Sequence, residues 1–305
     1  VARNGLAVTG ANGFVGRHLL RLAASRGYEV VGVVRSEAAS AVVMGCGGRP
    51  VLAGLGSDPL ARAFAGATAV VHLAQVGGER HGGTFEAVNV RGTQNVVTAA
   101  RQAGVRRVVF FSGLGVARYG MARRCTNAYF LSKLAAELAL FRSGLDVTVF
   151  RPSYVLGVGG ELVPGLLREL ASGEVEVVED GRYRMQPVAA NDAAALILAG
   201  VEHAAPGPEV YDLVGPEPIA YADFVARVAG AARAQGRLAG DYRVRSLSAA
   251  EAEQQAAAGG YRGLRREELD CLLCDEVSDP RPLESLLGRP LTRLDDVIAA
   301  AVRGA

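Results

Sequence analysis

Along the first 150 residues the apolar positions switch between two periods. Residues 6–10, 29–34, 51–53, 68–74, 105–112 and 146–150 are short runs rich in Val, Ala and Phe, long enough for strands and apolar enough to be covered on both faces. Between them, residues 14–26 place Val15, Leu19, Leu20 and Leu22 at helical spacing, and residues 84–103 and the stretch opened by Tyr129 and Lys133 read as further helices. Strands alternating with helices predict an α/β chain: a Rossmann-type doubly wound parallel sheet with right-handed crossovers. From Gly157 the pattern breaks into shorter pieces separated by Pro and Gly. Helices are expected over 162–171, 191–201 (opened by an Asn/Asp cap), 221–233 and 291–302 (capped by Thr292). Strands are expected over 175–178, 183–188 and 210–214, and the Ala- and Gln-rich 248–260 is amphipathic at best. The expected division is a dinucleotide-binding domain over 1–156 and a smaller C-terminal substrate lobe over 157–305, some segments of which return to the sheet.

The chemistry is concentrated where strand meets glycine. The first strand runs into Gly10-Ala-Asn12-Gly13-Phe14-Val15-Gly16 and then directly into a helix. Glycines there let the backbone approach a pyrophosphate, and the helix N-terminus offers it unpaired N–H groups and a positive dipole. In a chain with 39 glycines the spacing alone is weak, but strand, glycine turn and helix together are strong. After the second strand, at the position that selects the cofactor, stands Arg35, suited to the 2′-phosphate of NADP. Glu37, two residues on, keeps NAD open as the alternative.

Of 33 basic residues, 32 are arginine; Lys133 is the one lysine. A chain that writes Arg at every other basic position has little reason to keep one Lys for solubility, and the compact ammonium is not interchangeable with a guanidinium. Tyr129 lies four residues upstream, on the same helix face. An ammonium beside a phenol lowers its pKa, giving an acid/base for a carbonyl or hydroxyl next to a hydride carrier.

Five motifs, in order, resemble the extended and atypical short-chain dehydrogenases/reductases, the NAD-dependent epimerase/dehydratase group. They are Thr9-Gly10-x-x-Gly13-x-x-Gly16, His72-Leu73-Ala74, Asn89-Val-x-Gly-Thr93, Tyr129-x-x-x-Lys133 and Arg151-Pro152. The gap before Tyr129 and the Gln186-Pro187-Val188 segment are similar to a branch related to the NADPH-binding accessory subunit of respiratory complex I, some members of which bind cofactor without a known reaction. The resemblance implies that Tyr129 is the acid/base and that Lys133 anchors the nicotinamide ribose. It places Asn89 in support of the lysine, Leu73 and Ala74 along the cofactor, and Pro152 beside the nicotinamide. Two positions depart from the group. Leu114 falls where a serine usually holds the substrate carbonyl, leaving Ser112 as a substitute only if the backbone shifts. Ala53-Gly54-Leu55 lacks the acidic residue that usually meets the adenine.

Composition removes other classes. A net charge of +2 argues against a nucleic-acid surface. Four scattered cysteines form no disulfide framework, and with no signal segment or membrane span in view a cytoplasmic chain is expected. Val1 leaves room for a short missing leader, but little of the fold is expected to precede it. Cys271 and Cys274 offer two ligands where zinc takes four, so no metal is expected and both read as small apolar groups. His72 reads as a packed strand residue. Arg168, Arg182 and Arg184 read as surface charges rather than a phosphate site, and Tyr154, Leu156, Val158, Leu162 and Met185 fit an apolar pocket or a core equally well. The expectation is an NADP(H)-dependent oxidoreductase or epimerase/dehydratase-like enzyme with a small-molecule substrate, a homodimer being compatible with the chain. Its rival is a non-catalytic protein that binds NADP(H) as a structural or redox-sensing ligand.

Overall fold

In the computed structural model, residues 4–79, 83–203, 206–258 and 266–305 are described. The first half builds β1 (Gly5–Thr9), α1 (Phe14–Ser25), β2 (Glu29–Val34), α2 (Glu37–Gly45), β3 (Arg49–Leu52), α3 (Ser57–Phe64) and β4 (Ala69–His72). A π-helical turn, Phe85–Val90, runs into α4 (Arg91–Gln102), followed by β5 (Arg107–Phe111), α5 (Ala128–Phe141) and β6 (Asp146–Pro152). Beyond these come β7 (Val155–Leu156), α6 (Leu162–Ser172), β8 (Glu174–Val178), β9 (Arg184–Met185), β10 (Val188–Ala189), α7 (Ala190–Glu202) and β11 (Pro208–Leu213). The chain closes with β12 (Ile219–Ala220), α8 (Tyr221–Ala234), β13 (Arg243–Leu247), α9 (Ala249–Ala257), α10 (Arg266–Leu272), α11 (Arg281–Leu287) and α12 (Leu294–Arg303).

Among the described residues seven strands form one parallel sheet in the order β11-β6-β5-β4-β1-β2-β3. This is the doubly wound arrangement. The order reverses between β1 and β4, and the crevice beyond the carboxyl ends of those strands is where such sheets take ligands. Leu19 and Leu20 of α1 and Leu196 to Leu198 of α7 cover one face; Phe64, Val96 and Leu140 cover the other. Both faces of β4 are closed, which is why its sequence is apolar throughout. A separate buried cluster built on Phe224, Val228, Leu166 and Ile298 is drawn almost wholly from the stretch expected as the smaller lobe.

Several local expectations change. Residues 84–103 are not one helix: Thr84 caps a π turn, its hydroxyl accepting from Ala87 N at 3.0 Å, before α4 begins. Residues 183–188 do not make one strand. Pro187 has no N–H to continue a ladder, and Gln186 turns to bond Gly215 O at 2.7 Å and Ser278 N at 2.9 Å, so β9 and β10 pair with different partners. The expected Asn/Asp cap of α7 is absent: Asn191 reaches His18 at 2.8 Å, and Asp192 takes Arg289 and the backbone N–H of Thr292, each at 2.7 Å. Thr292 therefore does not cap the last helix, which starts at Leu294 with no side-chain cap. Residues 249–257 are a helix with a full capping box, Ser248 and Glu251, while 259–260 lie outside the described residues. Residues 243–247 form an additional strand paired in parallel with β8; its exposed Arg243 and Arg245 hide the pattern in the sequence.

Candidate active site

The glycine turn at the end of β1 is shaped by contacts that no side chain could survive. Gly10 has φ +69°, and a Cβ there would lie 2.7 Å from Ala74 N; at Gly16 it would lie 2.5 Å from Gly10 O. The turn is thus pressed against Leu73 and Ala74 at the end of β4. Gly13, the N-cap of α1, offers no side-chain cap, so the first N–H groups of the helix remain for a ligand. Both features fit a dinucleotide pyrophosphate.

A cavity of about 830 Å³ begins here and runs to the smaller lobe. Thr9, Gly10, Asn12, Gly13, Phe14, Val15, Gly16, Arg35, Leu73, Ala74, Ser112, Tyr129 and Pro152 all line it. Arg35 stands exposed at its outer end; Glu37 opens α2 and is not among the lining residues. Ala53 and Leu55, where the acidic residue is missing, give that end an apolar wall.

Below the wall a polar chain ties the sheet together. Ala74 N–H reaches Thr9 Oγ1 at 3.4 Å, and that oxygen lies 2.6 Å from His72 Nδ1. His72 Nε2 lies 3.0 Å from Thr93 Oγ1, which donates to Asn89 O at 2.6 Å. Because Thr93 spends its proton on Asn89, the network assigns the proton of His72 to Nε2. Burial, with the nearby Lys133 charge, lowers the His72 pKa to about 3, so the ring stays neutral and structural.

Asn127 starts α5, its side chain accepting from Phe130 N at 2.9 Å, and α5 carries the rest of the site. Lys133 is 1 % exposed; its Nζ donates to Phe111 O at 2.7 Å and Gln75 Oε1 at 2.8 Å, and sits 4.5 Å from the Phe110 ring centre. The Tyr129 hydroxyl approaches the same Gln75 Oε1 at 3.5 Å. Gln75, two residues beyond Leu73, therefore joins the pair, and nothing in its sequence neighbourhood beyond that adjacency marks it. Asn89 lies off the cavity. It bonds both backbone groups of Val76 and donates to Ser132 Oγ at 3.0 Å, and Ser132 donates to Tyr129 O at 2.6 Å. It holds the Gln75–Val76 loop against α5 rather than touching Lys133.

Electrostatics here differ from the simple expectation. Desolvation, followed by the charges of Cys271 and Glu276, raises the Tyr129 pKa, so the phenol keeps its proton despite the lysine. Burial brings Lys133 down to about 7, opposed by the charge of Glu137 one turn along the helix.

Leu114 is also not where the sequence placed it. It is buried in the core beneath a 3-10 turn, Leu114–Arg118. The residue facing the phenol is Gly113: a Cβ there would lie 3.5 Å from the Tyr129 hydroxyl, in ordinary contact. Ser112 lines the cavity, but its Oγ is buried with no hydrogen-bond partner.

From the smaller lobe, Glu268, Cys271, Leu272 and Glu276 complete the lining. Cys274 is buried against Cys125, sulfurs 3.2 Å apart, and among the described residues no group of three His, Cys, Asp or Glu could hold a metal ion. Arg168, Arg182 and Arg184 pair with Glu161, Asp180 and Asp275 and do not line the cavity. Of the five apolar candidates only Tyr154 does; Leu156 and Met185 are core.

A family model described as the NAD dependent epimerase/dehydratase family matches residues 6–213. A ketoreductase of Stigmatella aurantiaca, acting on 4-hydroxy-2-methyl-3-oxo-4-farnesyl-3,4-dihydroquinoline-1-oxide, is 30% identical over 236 residues, 72% of this chain and 70% of that protein. The 2-alkyl-3-oxoalkanoate reductase of Stenotrophomonas maltophilia is 30% identical over 242 residues, 72% of each chain. Among solved structures, MoeE5 in complex with UDP-glucuronic acid and NAD superposes with a TM-score of 0.76 at 23% identity, covering 98% of both chains; it shares the fold.

Proposed function

The chain belongs to the NAD dependent epimerase/dehydratase family, and from that premise we propose that it is an NADP(H)-dependent ketoreductase for a mostly apolar carbonyl compound. The observation that carries the proposal is one cavity with a glycine cradle at one end and the Tyr129–Gln75–Lys133 group at the other. The two sequence relatives named above are reductases of oxo compounds, which favours ketone chemistry over sugar epimerisation.

A bound nicotinamide dinucleotide would supply the hydride. In this reading Gly10, Asn12, Gly13, Phe14, Val15 and Gly16 hold its pyrophosphate, with Leu73 and Ala74 alongside. Arg35 takes the 2′-phosphate, Lys133 the nicotinamide ribose, and Pro152 borders the ring. Tyr129, kept protonated by burial, gives its proton to the substrate oxygen as the carbonyl carbon is reduced. Gln75 aligns phenol and ammonium by accepting from both. Asn89 positions Gln75 through the Val76 backbone.

The glycine at 113 favours the second reading, a cofactor binder without turnover, because no side-chain hydroxyl stands beside the phenol from that strand. Spectroscopic assay of a panel of 3-oxo esters and aryl ketones with NADPH, and then NADH, separates the two. Coenzyme oxidation with at least one ketone is expected. A blank panel beside tight NADPH binding would favour the non-catalytic protein.

A further inference from the structure

The segment that follows α10 borders the cavity beside α5, where Cys271 and Cys274 pack with Tyr129 and Phe130, and it is fastened on both sides of one residue. Arg118 donates to the carbonyls of Asp275 and Val277, the latter at 3.1 Å. Ser153 Oγ donates to Glu276 O at 3.1 Å, and Glu276 N donates to Arg184 O at 2.8 Å. Asp275 in turn accepts from the Arg184 backbone N–H at 2.8 Å, and Ser278 Oγ donates to Asp212 at 2.8 Å. These bonds hold the backbone on either side of Glu276. It lines the cavity with Tyr129, Ser153 and Tyr154 and is only 8 % exposed. Its carboxyl is hydrogen-bonded by the Ser153 side chain and by no arginine or lysine, and a buried carboxyl so placed on a ligand cavity suits a ligand group of matching polarity.

We propose that Glu276 is a substrate-contacting residue whose carboxyl hydrogen-bonds the carbonyl oxygen of the substrate from the lobe side, in the role that Gly113 leaves vacant on the strand side. The inference rests on the ketoreductase reading above and names the second group on the substrate oxygen. The titratable and charged groups facing Glu276 are Tyr129 from α5, Tyr154 after β6, Cys271 from α10, Cys274 just beyond it and Arg118 from the 3-10 turn. Burial moves its pKa up to about 8, against smaller lowering effects of Ser153 and Arg118. Near neutral pH the carboxyl is therefore an acid and a donor. Tyr129 delivers its proton and Glu276 keeps its own, so two donors meet the charge that develops on oxygen. Once ionised, the same carboxylate would repel that charge.

The test compares wild type with Glu276→Gln, which keeps a donor, and Glu276→Leu, which keeps bulk alone. Ethyl 3-oxooctanoate serves as the ketone. In the dead-end complex with NADP⁺, infrared difference spectra read the ketone carbonyl band without turnover. The band is expected to shift in wild type and Glu276→Gln and to shift less in Glu276→Leu, NADP⁺ affinity being equal in all three. With NADPH, kcat/KM is expected to fall about 10²–10³-fold in Glu276→Leu. Lys133, lowered to about 7, titrates in both proteins; the further alkaline fall near pH 8 is expected in wild type and to be missing from Glu276→Gln. Gly113→Ser is expected to restore part of the rate of Glu276→Leu. A carbonyl band that is the same in wild type and Glu276→Leu, or no saturable ketone binding, overturns the proposal. Turnover that needs Tyr129 but ignores Glu276→Leu overturns it too and leaves the ketoreductase reading standing. Turnover indifferent to Tyr129→Phe instead sinks that reading.

Discussion

Lys133 shows how much one residue can carry. It is the lone lysine in an arginine chain, and the structure buries it with two acceptors, Phe111 O and Gln75 Oε1. A guanidinium is larger and planar and does not reproduce a compact ammonium 4.5 Å from the Phe110 ring that bonds both oxygens. Lys133→Arg is expected to weaken NADPH binding at least tenfold by titration calorimetry; an unchanged affinity and melting temperature would make the lysine a bystander. Neither Gln75 nor Gly113 could be found in the same way. Gln75 matters because of where a loop places its oxygen, and Gly113 because of a side chain it lacks. Counting residues from the strand put Leu114 at the carbonyl, but the turn after β5 rotates Leu114 into the core. Gly113→Ser fits without displacing Tyr129, since the nearest atoms are 3.5–3.7 Å from the added Cβ. With Glu276 also present, the expected gain in kcat is about tenfold or less, measured on the best ketone of the panel; a loss of activity would mean that the position is not beside the substrate.

At the scale of elements, α5 is the piece that turns sequence spacing into a site. Tyr129, Lys133 and Glu137 recur every fourth residue, so phenol, ammonium and carboxylate line one face. Glu137, fully buried, holds Arg151 through two bonds of 3.0 and 2.6 Å, which ties α5 to β6 just before Pro152 enters the cavity wall. Removing one partner of such a pair strands the other, so Glu137→Ala is expected to cost about 3–5 kcal/mol in urea denaturation. A loss below about 1 kcal/mol would show the pair to be dispensable. The strands of the first half were legible because they are covered on both faces and must be apolar throughout. Elements of the second half were harder to read for the opposite reason. Partly exposed strands such as β13 mix Arg with Val, and cap positions were reassigned by long-range partners, as when Asp192 took the Thr292 N–H.

One cavity carries Gly10, Gly13 and Arg35 as well as Gln75, Tyr129 and Glu276, so cofactor contacts and chemical contacts can be perturbed separately. At the outer end, Arg35→Ala is expected to weaken NADPH by about 1.5–3 kcal/mol while leaving NADH nearly unchanged. Equal dissociation constants for both coenzymes in the unmodified protein would remove the assignment to a 2′-phosphate. At the inner end, Glu276 links stability to pH. Its folded pKa, raised to about 8, exceeds the ordinary carboxyl value, so folding takes up a proton between about pH 4.5 and 8 and stability falls as pH rises through that window. Glu276→Gln has no such proton, and its melting temperature relative to wild type is expected to climb from pH 5 to 8. A constant difference would place the carboxyl in water.

In the proposed reaction Tyr129 supplies the proton when a bound ketone is reduced, and the single-turnover rate of ketone reduction by the NADPH complex of Tyr129→Phe decides it. The ring stays, so packing against Phe85 and Phe130 and the affinity for NADPH should hold. One positioned acid is worth about 10²–10⁴ in rate. A fall of at least a hundredfold, with NADPH affinity intact, is the predicted result; reduction that continues at the wild-type rate would contradict the account.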